Sequence, residues 1–261
     1  LIDWHHIVAG LLVGLMVGVT GVGGGSLMSP ILILLFGVPA TTAVGTDLWF
    51  AGITKSVGSF AHHRRSHVDW PIVLWLAAGS LPAALLTLFA LNLSEAHAIR
   101  DGIVMRSLGG VLILTSVVTL FRFTIVSRAL RMVPHAALEN QALKRPFTVV
   151  AGAVLGVLVT LTSVGAGALG VTLLLLLYPL RLTAKRLVGT DIAHAVPLTI
   201  LAGMGYLLNG KVDMALLGSL LIGSLPGILA GSWLAAILPE KAIQRALAVI
   251  LAIAGWKMLA S

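Results

Sequence analysis

Apolar segments of near-spanning length recur along the whole chain, at residues 7–35, 41–61, 71–91, 102–120, 147–178, 187–208, 214–238 and 246–259. A helix needs roughly 20 such residues to cross a bilayer. Inside the hydrocarbon, helices satisfy every backbone polar group within one segment. The chain therefore reads as an all-α polytopic membrane protein. Only 10% of residues are charged, against about 25% in soluble domains. The formal charge of +8 would suggest nucleic acid in a soluble protein. Here most Lys and Arg lie in short loops, the orientation signal of a bacterial or archaeal cytoplasmic (inner) membrane protein, and no nucleic-acid partner is expected. With no cysteine, disulfide, zinc-thiolate and thiol chemistry are excluded. The opening "LIDWHH" lacks the basic start and cleavage site of a signal peptide, and Leu1 need not be the native start.

The chain also repeats itself. "VGTD" stands at 44–47 and, 144 residues later, at 188–191. At the same offset "HVDW" (67–70) matches "KVDM" (211–214), and "GSLPA" (79–83) matches "GSLPG" (223–227). At an offset of 142, "AGLLVGLMVGVTGVGGGSL" (9–27) matches "AGAVLGVLVTLTSVGAGAL" (151–169). Four matches in the same order make a tandem duplication. Residues 1–120 form the first transmembrane repeat, 121–146 a basic linker, and 147–261 the second repeat. Each repeat has an interrupted segment followed by three ordinary helices.

Loop charge bears on how the repeats are inserted. "HHRRSH" (62–67) is basic while its mate "LNGKVD" (208–213) carries one Lys and one Asp. Before VGTD the bias reverses: "GVPATTA" is uncharged, whereas "RLTAKR" holds Arg181, Lys185 and Arg186. If 62–67, 121–146 and 181–186 are all cytoplasmic, each interrupted segment dips in and returns, and the repeats are inverted. A parallel arrangement would place either 121–146 or 181–186 outside.

The interruptions are dense in glycine: Gly21, Gly23, Gly24 and Gly25 in the first, Gly165 and Gly167 in the second. Each costs a helix roughly 1 kcal/mol relative to alanine. Irregular backbone persists in a membrane only where protein buries it or it lines a cavity. Paired breaks near the midplane are a device of transporters built from repeats. A helix N-terminus there offers free N–H groups and partial positive charge to an anion. Gly23, Gly24, Gly25, Gly165 and Gly167 would let the anion approach the backbone, with Ser26, Thr162 and Ser163 (and Thr20) as hydroxyl donors. Close helix packing through small residues is the competing explanation. "GAGALG" (165–170) fits G-x-G-x-x-G, but that fingerprint needs a strand–turn–helix context, and a dinucleotide site is rejected.

Ionisable groups within the segments are few, which makes each a candidate. Lys55 follows Asp47 by eight residues, about 12 Å along one helix face, and could pair with an entering anion or snorkel to the interface. Asp191 is the repeat mate of Asp47, and His194 lies one turn from it. Asp47, Asp191 and His194, with Thr46 and Thr190 of the same motif, either carry a proton or cap exposed N–H groups of the broken backbone. Pro82 and Pro226 read as helix kinks. Trp4, Trp49, Trp70, Trp75 and Trp256 read as interfacial anchors. His5, His6, His62 and His63 read as solvated rather than metal-binding. No metal site or cofactor is expected, and no HExxH, GxSxG or phosphate-loop pattern supports an enzyme.

These paired motifs, a Gly-rich break, "VGTDL"/"VGTDI", a "VD" loop and "GSLP", resemble the TauE/SafE sulfite-exporter (TSUP) family over about residues 7–259. The resemblance implies secondary transport across the cytoplasmic membrane, with small sulfur anions such as sulfite or organosulfonates as substrates and export as the direction. It pairs Gly23–Ser26 with Gly165–Ala168, and Gly45–Asp47 with Gly189–Asp191. Ala168 replaces Ser26 in the second copy, so the halves need not contribute equally. An uncoupled anion channel, a membrane-embedded enzyme and an assembly subunit are the competing classes. The partners expected are a small anion, the lipid bilayer and, if transport is coupled, protons; oligomeric state is left open.

Overall fold

In the computed structural model, the residues described are 4–20, 25–64, 67–93, 97–132, 141–235, 237 and 239–260. Among them are ten helices and no strand: α1 Trp4–Thr20, α2 Gly25–Phe36, α3 Ala40–Arg64, α4 Trp70–Leu93, α5 His97–Met132, α6 Gln141–Thr162, α7 Ala168–Leu177, α8 Ala184–Leu208, α9 Met214–Ala235 and α10 Glu240–Ala260. The same order of long, short, long, long, long occurs twice, so the all-helical expectation holds. The basic linker is helical at both ends, as the tail of α5 and the start of α6.

Among the described residues, six helices contain stretches long and apolar enough to cross a membrane: α4, α8, and 99–122, 144–162, 214–234 and 242–260 within the others. The set does not include α3, although α3 equals α8 at 25 residues. Its mean hydropathy is lowered by Asp47 and Lys55, and by His62, His63 and Arg64 at its end. Large apolar side chains cover the outside, among them Leu86, Leu229 and Trp256, as a lipid-facing surface requires.

Glycine patterning explains the closest contacts. Gly10 and Gly14 of α1 sit against the backbone of Leu220 and Ser224 in α9. Facing them, Gly223 and Gly227 sit against Ile7 and Leu11. A methyl group at any of the four would run into the partner backbone. The second half repeats the arrangement, with Gly152 and Gly156 of α6 on Leu76 and Ser80 of α4, and Gly79 on Val149 and Ala153. This is small-residue packing of membrane helices, and each pair joins one half of the chain to the other. Because residue numbers rise together across each contact, α1 runs parallel to α9, and α4 to α6.

Each broken segment doubles back. The His6 ring, near the start of α1, lies 5.0 Å from the Phe36 ring at the end of α2. Likewise the Thr148 hydroxyl near the start of α6 lies 2.7 Å from the Tyr178 hydroxyl just beyond α7. The repeat mates α3 and α8 lie side by side and antiparallel: Trp49 donates its indole N–H to the Gly203 carbonyl at 3.0 Å, and Gly52 faces Thr199 and Ile200. Trp49 is therefore no interfacial anchor. A carbonyl acceptor in mid-helix of α8 holds it between the halves. Pro82 and Pro226 lie inside helices that continue through them.

Most of the apolar core joins α3–α8 and α10, around Leu48, Leu76, Leu108, Leu155 and Leu198. A smaller cluster, with Val13, Met28, Phe50 and Leu220, ties α1, α2, α3 and α9 together.

Candidate substrate site at the helix breaks

The second break lies between α6 and α7. Thr162 closes α6 locally: its hydroxyl donates to the Leu158 carbonyl at 2.6 Å and accepts the Val164 amide at 3.1 Å. The chain then turns through left-handed backbone at Ser163 (φ 58°), Gly165 (φ 128°) and Gly167 (φ 134°). Glycine adopts such values at little cost and a side chain does not, so the two glycines are set by conformation. Gly167 caps α7, with no side chain hydrogen-bonded to the first turn. The Gly170 amide of that turn is taken by the Gly165 carbonyl at 2.9 Å, so the first amides of α7 are the ones a helix N-terminus offers to an anion.

Four elements bring polar groups to this break. From α3, the half-buried Lys55 donates its ammonium to the Ala166 carbonyl at 2.9 Å. Asp47, two turns earlier on α3, is fully buried. Its Oδ2 accepts the Ser29 hydroxyl of α2 at 2.6 Å, and Ser163 faces the same carboxylate. Asp191 of α8 is 3% exposed; it faces the Gly167 amide, and its Oδ1 rests on Gly170, where a Cβ would collide with it. His194, buried on α8, shares a 2.8 Å hydrogen bond between Nε2 and the Ser80 hydroxyl of α4. Lys55 lies close enough to interact with both carboxylates and with the imidazole.

Ser26 Oγ, Asp191 Oδ1 and His194 Nδ1 are buried around this cluster without a hydrogen-bond partner, and Ser163 Oγ has only the Asp47 carboxylate to face. Buried polar groups are rarely left so. Their concentration at the junction of the repeats is what a site awaiting a polar ligand looks like.

The structure thus gathers Lys55, Ser163, Gly165, Gly167, Asp47, Asp191 and His194 into one region. Gly25 begins α2, one turn from Ser29, with the buried Ser26 beside it. Gly23 and Gly24 lie outside the described residues. Thr46 and Thr190 play a different part, because each hydroxyl accepts a backbone amide from the opposite half, Asp213 at 3.1 Å and Asp69 at 3.0 Å. Thr162 is likewise committed to backbone. Ser80, Ser29 and Gly170 join the site although spacing alone does not single them out. Ser80 is visible in the sequence as part of the duplicated GSLP motif, but its neighbour His194 stands 114 residues away. Among the described residues no group of His, Asp and Glu is arranged to hold a metal.

At the end where α4 and α8 begin, the two halves are also joined by charge. Asp69, 2% exposed, accepts a bidentate pair from Arg181 at 2.8 Å and lies 3.6 Å from Arg186. The repeat mate Asp213 instead caps α9, accepting the Leu216 amide at 2.9 Å. The half opposite Asp213 has Gly37 and Thr42 at the positions of Arg181 and Arg186.

The family model described as "Sulfite exporter TauE/SafE" matches residues 6–258. A Bacillus subtilis protein, "Probable membrane transporter protein YjnA", is 39% identical over 97% of this chain and 98% of its own length. A second from the same organism, "Probable membrane transporter protein YdhB", is 29% identical over 95% and 96%. A 32% identical stretch, 29% of this chain, is shared with "Probable membrane transporter protein MJ0441" of Methanocaldococcus jannaschii, covering 30% of that protein. No solved structure matches. Two doubled-back segments and a pair of antiparallel repeat mates, in a chain that the family model matches over residues 6–258, lead to one assignment: the chain is a multi-pass membrane protein of the TauE/SafE sulfite exporter family.

Proposed function

We propose that the chain is a secondary transporter for a small sulfur-containing anion, such as sulfite or an organosulfonate, across the cytoplasmic membrane. The two repeats sit in opposite orientations, with the loops around 62–67 and 181–186 and the 121–146 linker on the cytoplasmic side. The observation that carries this reading is the second break, where the α7 N-terminus, the Lys55 ammonium and the buried Ser163 hydroxyl come together. An anion gains from all three. The sulfur and the outward direction come from the family's description rather than from the geometry. Antiparallel pairing of α3 with α8 supports opposite orientation of the halves and gives alternating access a mechanical form, one repeat rocking against the other.

The test is binding by thermal shift on the purified protein, with sulfite, sulfoacetate, taurine, sulfate and acetate, beside the Lys55→Ala variant. Stabilisation by a sulfur anion that Lys55→Ala abolishes supports the assignment. Stabilisation that survives the substitution places the anion elsewhere, and a response to none of the sulfur anions removes them as the substrate class.

A further inference from the structure

The charge balance of the site limits what can cross with the anion, given the transport reading above. Asp47 and Asp191 are buried at 0% and 3% exposure, and Lys55 is the cation that reaches them. Every helix packed on α3 and α8 bears on the count. α2, α4, α7 and α9 contain no ionisable residue among those described, offering only hydroxyls such as Ser29 and Ser80. α5 contributes Asp101, which holds the Thr41 amide at the outer end of α3, about 9 Å along the helix from Asp47, with Arg100 lining the same end. Arg106 of α5 is exposed, and Arg122, Arg128 and Arg131 lie toward its C-terminal end. The cations of α6, Lys144 and Arg145, lie beside Tyr178 and Trp75, at the opposite end of that helix from the break. His194 commits Nε2 to Ser80, and its buried Nδ1 has no acceptor for a second ring proton, so it counts as neutral.

Two carboxylates and one ammonium sum to a charge of −1, and a bound monoanion would make it −2. Uncompensated charge in a desolvated membrane interior costs several kcal/mol per ion. One proton on either carboxylate neutralises the empty site, and one more is needed when a monoanion enters. The Oδ1 atoms of Asp47 and Asp191, which accept no hydrogen bond, are the oxygens left to take those protons.

We infer that the site moves each monoanion together with one proton, held on the Asp47–Asp191 pair, so that transport is electroneutral symport. The direction then follows the combined anion and proton gradients and ignores membrane voltage.

The experiment uses the full chain in proteoliposomes with radiolabelled isethionate, a sulfonate ionised at every working pH, so that any proton moving with it rides on the protein. Expected is uptake that acidifies the lumen one proton per isethionate, is driven by an acidic exterior, and is unchanged when valinomycin and potassium set the voltage. In the Asp47→Asn/Asp191→Asn double variant, acidification is lost and uptake follows voltage. Uptake by wild type that follows voltage without acidification, or that makes the lumen alkaline, overturns the inference and leaves the transport reading standing. The wild-type result decides even if the double variant fails to fold. No isethionate movement above empty vesicles counts against the transport reading itself.

Discussion

The hydroxyl of Thr46 accepts the backbone N–H of Asp213 at 3.1 Å, and its repeat mate Thr190 accepts that of Asp69 at 3.0 Å. Each VGTD motif therefore reaches across to the VD loop of the opposite half. Replacing either threonine by valine keeps the shape but leaves an amide unpaired in a buried setting, which costs about 1–3 kcal/mol. Thermal unfolding in detergent is expected to show a lowered midpoint for Thr46→Val and Thr190→Val, and near-native behaviour for the serine variants. Equal stability of the valine and serine forms would mean the hydroxyl contributes nothing.

Glycines divide by what a side chain would meet. A Cβ at Gly14 or Gly227 would enter the backbone of the partner helix, whereas at Gly110 or Gly218 it would meet nothing. Isoleucine at Gly14 or Gly227 is expected to push α1 off α9 and to abolish monodisperse protein in size-exclusion chromatography. Alanine at Gly110 or Gly218 should be tolerated or slightly stabilising, by about 0.5–1 kcal/mol.

Gly170 tests the site without touching a charged group. Its missing side chain makes room for the Asp191 carboxylate, so Gly170→Ala displaces that carboxylate by steric contact alone. Anion binding and flux are expected to fall at least tenfold while expression and folding persist. Gly102→Ala, which meets nothing, serves as control. Flux equal to wild type in Gly170→Ala would take Asp191 out of the mechanism.

The Asp69–Arg181 pair holds the halves together at one end only. With Arg181 removed, the buried Asp69 carboxylate keeps Arg186 at 3.6 Å, and Arg181 is itself partly exposed. A loss of roughly 1–3 kcal/mol is therefore expected for Arg181→Ala, with recovery in Arg181→Ala/Asp69→Asn because the stranded charge is gone.

Much of the architecture could be read from the residues. Apolar length decides for membrane helices because the hydrocarbon offers no hydrogen bonds, and the offset motifs decide for two repeats because they recur in order. Gly165 and Gly167 mark a break because dense glycine weakens a helix wherever it occurs. Asp47, Asp191, Lys55 and His194 are conspicuous because a charge inside a membrane is too costly to be incidental. These are local properties, set by composition and spacing within a few turns.

Tertiary structure alone decided the partners. Trp49 reads as interfacial from its position, yet its indole rests on the Gly203 carbonyl, 154 residues away. Thr46 and Thr190 read as proton-coupling or capping groups, and only the fold shows that the amides they accept belong to the other half. Nothing in spacing could show Ser80 against His194, or Lys55 on the Ala166 carbonyl at the second break, because each contact joins residues more than a hundred positions apart. Sequence patterning specifies which face of a helix is apolar or small. Which face of which neighbour it meets is settled only when the helices of both halves pack together.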